Sequence, residues 1–172
     1  MDRVRFKSTD KQILRELRRN ARTTLTKIAA KTNVPLSTVF DRVHLLEESI
    51  IVKYVALIDF IRLGYYTRAH IAIGVDVKER LILKKYLLAT KHVNNLYRVN
   101  NGYDFLVEAI FVDIKEYEDF LNELKAAFSV TKLETHLLLK DLLREEFFTK
   151  ENGEYIADTR EWGEIITDTI KA

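Results

Sequence analysis

The chain has 172 residues, 47% of them hydrophobic and 31% charged, with five glycines and one proline. That composition builds one good core or two small ones and leaves no low-complexity linker. Cysteine is absent, which excludes disulfides, thiolate metal sites and a cysteine nucleophile together. The opening MDRVRFK is charged rather than signal-like, and no apolar run reaches membrane-span length, so a cytoplasmic protein with no membrane partner is expected.

The net charge of +2 conceals a gradient. Residues 1–64 hold 13 Lys/Arg against 7 Asp/Glu, residues 65–145 hold 12 of each, and residues 146–172 hold 3 against 7. A net of +6 on the first third points to a polyanion, although charge alone does not separate such a site from a solvated surface.

Thr9 with Gln12 three residues on has the spacing of a capping box. Ile13, Leu14 and Leu17 follow as one apolar stripe, which predicts a first helix. A second helix can start at Thr24 and carry Leu25, Ile28 and Ala29 inward. Asn33 tolerates the left-handed backbone that ends a helix abruptly, and Pro35 is preset for the first turn of a third. There Val39, Val43 and Leu46 repeat at i, i+4 and i+7, flanked by Leu36 and Phe40.

Ser37, Thr38, Asp41 and His44 fall on the opposite side of that third helix. Helix, tight turn and helix with a polar outer face is the helix-turn-helix arrangement; a plain three-helix bundle is the alternative. Short donors and acceptors that can approach base edges favour DNA. Ser37, Thr38 and Asp41 are the base-contact candidates, with His44 on the same face. Arg22, Thr24, Arg42 and Lys53 are the phosphate candidates, and Arg15, Arg18, Arg19, Lys27 and Lys31 add charge on the surrounding helices. After Glu48, SIIVKYVALI reads as a strand or β-wing.

A second pattern begins at residue 66. Residues 66–75 alternate as a half-buried strand with Ile71, Ile73 and Val75 on one face. Residues 79–90 carry Leu83, Tyr86 and Leu87 at helical spacing. Strands at 93–99 and 104–112 flank an Asn-Gly hairpin signal. Residues 114–128 place Tyr117, Phe120, Leu121, Leu124 and Phe128 on one helical stripe, and 130–140 alternate again. The fold class is therefore α+β, with a winged helix-turn-helix followed by a βαββαβ, ferredoxin-like domain.

Helices cover only one face of such a sheet. The other is most simply hidden against a second copy, so a homodimer or a larger even homo-oligomer is expected. The boundaries are 1–59 for the DNA-binding domain, 60–65 for a hinge, 66–145 for the second domain and 146–172 for an acidic extension. In that extension Trp162, Ile165, Ile166 and Ile170 form one stripe, expected to pack on the second domain. The sharper alternative is that the extension adds an assembly contact or competes with DNA for the basic domain.

His44, His70, His92 and His136 show no ligand spacing, so no metal is expected; His70 and His136 could meet across the sheet. Phosphate-loop, dinucleotide and nucleophile-elbow motifs are absent, and neither an enzyme nor a cofactor is indicated.

TDKQIL, NARTT, STVFDRVHLLE, YVALID ahead of LGY, and GYDF occur in that order across residues 9–142. Together they resemble the Lrp/AsnC (feast/famine) family of transcription regulators. The resemblance implies a winged helix-turn-helix joined to a βαββαβ regulatory domain that forms dimers, often octamers, and in many members binds an amino acid between dimers. The family's usual Gly in the recognition turn is Asn33 here, and the usual Ser opening the third helix is Pro35. His44 and Leu45 replace basic residues common late in that helix, and Ser49 replaces a Gly.

In the family the hairpin turn and last strand line the effector site. The resemblance thus implies Asn100, Asn101, Gly102, Tyr103, Asp104, Thr135 and His136 as effector residues. Backbone groups at Asn101 and Gly102 would take a carboxylate and Asp104 an ammonium. The family's Thr-Gly is Asn100-Asn101 here, with the glycine one place later, and Thr135-His136 replaces a common Thr-Ser. The double-stranded DNA regulator with a possible amino-acid effector is the reading favoured. An effector-independent architectural DNA-binding protein and a sensing module that has lost its DNA head remain alternatives.

Overall fold

Two separate hydrophobic clusters organise the computed structural model, which describes residues 6–150. The chain divides into one unit of residues up to Ala56 together with those from Leu143 onward, and a second unit of Leu57–Leu142. It therefore passes between the units twice. Trp162 and the isoleucine stripe expected to follow it lie outside the described residues.

The first unit is built on α1 (Ser8–Arg19), α2 (Leu25–Thr32) and α3 (Leu36–Ser49). Ile13 and Leu17 of α1 meet Ile28 of α2 and Val39, Val43 and Leu46 of α3 in one core. Each such side chain, fully buried, contributes roughly 1.5–3 kcal/mol. Helix α1 starts one residue before Thr9, because the Asp10 carboxylate rather than the Gln12 amide closes the capping box: Lys7 N–H donates to Asp10 Oδ2 at 2.7 Å. Thr24 caps α2, its hydroxyl accepting from Lys27 N–H at 3.2 Å. Asn33 ends that helix at φ 54°, the left-handed turn its side chain tolerates.

The strand or wing expected at 49–58 is not formed. Beyond α3 the chain has no regular element until a short 3₁₀ turn, Ile61–Leu63, that ends on Gly64 at φ 88°. A lone strand has no ladder partner, and alternation of apolar residues does not provide one. Val52 is accordingly 94% exposed.

In the second unit the chain runs β1 (Thr67–Val75), α4 (Arg80–Ala89), β2 (Val93–Arg98), β3 (Phe105–Phe111), α5 (Ile114–Ala127) and β4 (Val130–Leu137). The sheet order is β2-β3-β1-β4, antiparallel throughout. Ala69, Ile71, Ile73 and Val75 face the helices and pack with Leu83 and Leu87 of α4 and Tyr117, Phe120 and Leu124 of α5. Arg68, His70 and Ala72 alternate to the other face, where His70 is in register with Glu108 on one side and His136 on the other.

The β2–β3 hairpin turns on Asn101 and Gly102, both at positive φ (62° and 84°), as a type I′ turn demands. Tyr103 N–H closes the turn onto Asn100 O at 3.4 Å. Beneath it, a Cβ on Gly74 would sit 3.0 Å from the Gly102 carbonyl oxygen, so only glycine lets the turn lie this close to β1.

Candidate nucleic-acid interface and effector turn

One stripe of α3 is buried by Val39, Val43 and Leu46, and Ser37, Thr38, Asp41 and His44 are all exposed. His44 Nε2 lies 3.5 Å from Glu48 Oε1 at the helix surface. These four side chains therefore share an outward face, in which hydroxyls, a carboxylate and an imidazole can meet base edges. Phe40, taken from the sequence as flanking the core, is 59% exposed. It belongs beside that outer face, a placement its spacing from Ser37 and His44 already carried.

The cations are sorted by their partners. Arg22 and Lys53 are exposed, and Thr24 sits at the α2 N-terminus with its hydroxyl oxygen accepting the cap bond. Arg42, a phosphate candidate, is paired inside the head. Its Nε and Nη2 donate to the two carboxylate oxygens of Asp10 at 2.6 and 2.5 Å, and Asp10 is fully buried. The Arg42 guanidinium holds the Asp10 carboxyl below its ordinary value, against burial that would raise it. Such a bidentate pair joins α3 to α1 and leaves little for DNA.

Lys31 is similarly committed. Its ammonium lies 2.5 Å from Glu16 Oε2, while Arg19 donates to Glu16 Oε1 at 3.0 Å. Burial pushes the Glu16 carboxyl up, yet these two cations hold it below the ordinary carboxylate value. Arg18 and the Nε of Arg19 bond the segment 145–149 instead. The described start of the acidic extension thus bonds α1.

The effector candidates separate into two groups. Asp104 is nearly buried, and its carboxylate accepts from Val75 N–H at 3.0 Å, with Arg80 Nε at 2.5 Å and Arg98 Nη2 at 3.4 Å. The position that resemblance offers to a ligand ammonium is already filled by two guanidiniums. The pairing is long-range: Arg80 arrives from α4.

Tyr103 and His136 converge on Glu134, a residue the sequence reading left out. Tyr103 OH donates to Glu134 Oε2 at 2.8 Å, and His136 Nε2 lies 3.0 Å from Oε1. The Tyr103 hydroxyl and then His136 hold the Glu134 carboxyl below its ordinary value, while the Tyr103 phenol is raised by the same bond. Glu134 was detectable in principle, because residues two apart on a strand share a face. For the same reason Thr135 points the other way, opposite inward-facing Ile71.

Asn100, Asn101 and Gly102 form the exposed turn itself. Lys132 reaches over it, its ammonium 5.7 Å from the Tyr103 ring centroid and 2.6 Å from where a Cβ on Gly102 would lie. Among the described residues no group of three His, Asp or Glu is arranged to hold a metal ion. No helix among them is long and apolar enough to cross a membrane.

Comparison with known proteins places both units. Residues 6–49 match the family model for winged helix-turn-helix DNA-binding, and residues 69–146 match the Lrp/AsnC ligand binding domain. An uncharacterised helix-turn-helix-type transcriptional regulator of Pyrococcus abyssi is 32% identical over 139 residues, covering 79% of this chain and 87% of that protein. The proline dehydrogenase transcriptional activator of Rhodobacter capsulatus is 29% identical over 120 residues, 67% of this chain and 78% of that protein.

Among solved structures, a transcriptional regulator of Neisseria meningitidis complexed with L-Met superposes with a TM-score of 0.75 at 20% identity, over 81% of this chain and 93% of that one. AsnC of E. coli gives 0.72 at 21% identity, over 82% and 97%. With its three-helix head, its βαββαβ sheet and these matches in sequence, the chain belongs to the Lrp/AsnC family of DNA-binding transcription regulators.

Proposed function

We propose that this regulator works in the cytoplasm as a dimer or larger even assembly, reading a specific duplex sequence with α3 in the major groove. The observation that carries the reading is the division of α3 into a buried apolar stripe and an exposed face of Ser37, Thr38, Asp41 and His44. Phe40 adds an apolar surface suited to a thymine methyl group. Arg22, Thr24 and Lys53 are the phosphate partners, joined by Lys27. Arg68, His70, Glu108 and His136 lie on the sheet face without helices, and a second copy is the proposed cover.

The test is a DNA titration over a salt series with random and selected duplexes. Specific binding tightened a thousandfold or more over random sequence is the order expected of a regulator. Equal, salt-steep binding to both identifies an architectural protein instead, and no binding at low salt a head that no longer functions.

We further propose an amino-acid effector at the hairpin turn, a reading supported by the L-Met complex of the Neisseria meningitidis structural neighbour. Lys132 and the backbone N–H groups of Asn101 and Gly102 suit the carboxylate. Glu134, about half exposed, is the carboxylate open to an ammonium, in place of Asp104. Thermal shifts against the twenty amino acids test this. A ligand at a hundred times its Kd adds about 2.7 kcal/mol if it binds only the folded form, and Glu134→Gln should abolish the shift. No shift from any of them leaves the turn a purely structural feature.

A further inference from the structure

Residues 145–149 are tied to α1 by hydrogen bonds from two guanidiniums. Arg18 Nη2 donates to the Glu145 carbonyl at 2.7 Å and to its carboxylate at 3.0 Å, and Arg18 Nε donates to the Phe147 carbonyl at 3.3 Å. Arg19 Nε donates to the Thr149 carbonyl at 2.9 Å. These two guanidiniums end α1 and belong to the cations that charge the head positively. Here Glu145, Phe147 and Thr149 occupy them.

How the segment is anchored bears on what can displace it. Phe147 is 86% exposed, and Thr149 is the one buried residue between 143 and 150. The Arg18–Glu145 pair is itself open to water, with side chains 38% and 58% exposed, so salt and competing anions weaken it. Glu145 and Phe148 stand at φ 54° and 75°, left-handed backbone that such residues hold only while their surroundings impose it. The chain that follows is acidic, residues 146–172 carrying a net of −4.

We infer that residues 145–149 form a strap that competes with DNA in cis, its carboxylate and carbonyl oxygens occupying Arg18 and Arg19 until phosphates displace them. DNA phosphates and the strap offer the same chemistry, anionic or carbonyl oxygen to a planar guanidinium. Bound DNA releases the strap, and conditions that hold the strap down weaken DNA binding. The inference rests on the DNA-binding reading above and adds its regulation.

The experiment compares DNA affinity over a salt series for the full chain, a chain ending at Arg144, and both again carrying Arg18→Gln and Arg19→Gln. A fluorescent duplex reports anisotropy, and circular dichroism checks the helices of each protein. Truncation should tighten binding, on the order of tenfold at low salt, and steepen the log–log salt slope by about 2, since each phosphate neutralised adds about 0.9. In the glutamine background that gain should vanish.

A gain of equal size with and without the two arginines would show that removing bulk negative charge suffices, and would overturn the strap. So would no gain at all. Should truncation melt the head, Glu145→Gln in the full chain takes its place, with a smaller change of the same sign expected and none fatal. Failure of every form to bind any duplex sinks the DNA-binding reading and the strap with it, an outcome distinct from tight binding that ignores the strap.

Discussion

Arg42 on α3 ends on Asp10, the residue that caps α1: Nε and Nη2 meet the two oxygens of a carboxylate with no exposure, at 2.6 and 2.5 Å. One acid thus closes the first turn of α1 and fixes the recognition helix against it. Removing one partner of a buried ion pair costs about 3–5 kcal/mol, because the other charge is stranded. Asp10→Ala and Arg42→Ala should each lower head stability by that order in chemical denaturation. Arg42→Ala, measured where it is still folded, should leave the salt slope of DNA binding unchanged. A slope shallower by about 1 would return Arg42 to the phosphate set.

Acid should loosen the head. Asp10 and Glu16 both have carboxyls lowered in the folded state from unfolded values near 3.8 and 4.5. The folded state therefore binds fewer protons, and the stability it gains is fully present above those values. It is lost as pH falls through the lowered folded ones. Melting of the helical signal should be level above about pH 5 and drop as the pH falls below about 4, with Asp10→Asn flattening part of the drop. An unchanged profile in that variant would place the acid sensitivity elsewhere.

Asp104 should behave as a structural acid. Asp104→Asn loses charge against Arg80 and Arg98, both partly exposed, so roughly 1–3 kcal/mol is the expected loss in the second unit. The loss should be the same with and without any amino acid that shifts the wild-type melt. If Asp104→Asn instead kept wild-type stability and abolished only the ligand shift, Asp104 would be the ammonium partner after all.

Phe40 offers a test at the level of a methyl group. In a selected duplex, replacing single thymines by deoxyuridine removes the 5-methyl and nothing else. One position per half-site should lose affinity by several-fold with the wild-type protein, and Phe40→Ala should be indifferent to that replacement. Loss at no position would separate Phe40 from base reading.

Local periodicity made most of the fold legible. Ile71, Ile73 and Val75 alternate, and Phe120 and Leu124 repeat along α5, so β1 and α5 fall within a residue or two of their expected limits. Asn33 and the Asn101-Gly102 pair adopt the left-handed backbone their chemistry favours. Pairings far apart in sequence were not legible. Arg42 reads like any surface cation until Asp10, 32 residues away, is seen beside it. Arg18 meets Glu145 across 127 residues. Alternation at residues 49–58 signalled apolar spacing, but a strand also needs a neighbour to bond.

The most direct measurement is selection of duplexes from a random pool by the full protein, followed by competition against unselected DNA. A base-reading regulator should enrich a pseudo-palindrome with half-sites about 10 base pairs, or a multiple of that, apart, and lose it when Ser37, Thr38 and Asp41 are replaced by alanine. A pool that stays random while binding remains tight would contradict that reading, leaving a protein that holds DNA by charge without reading it.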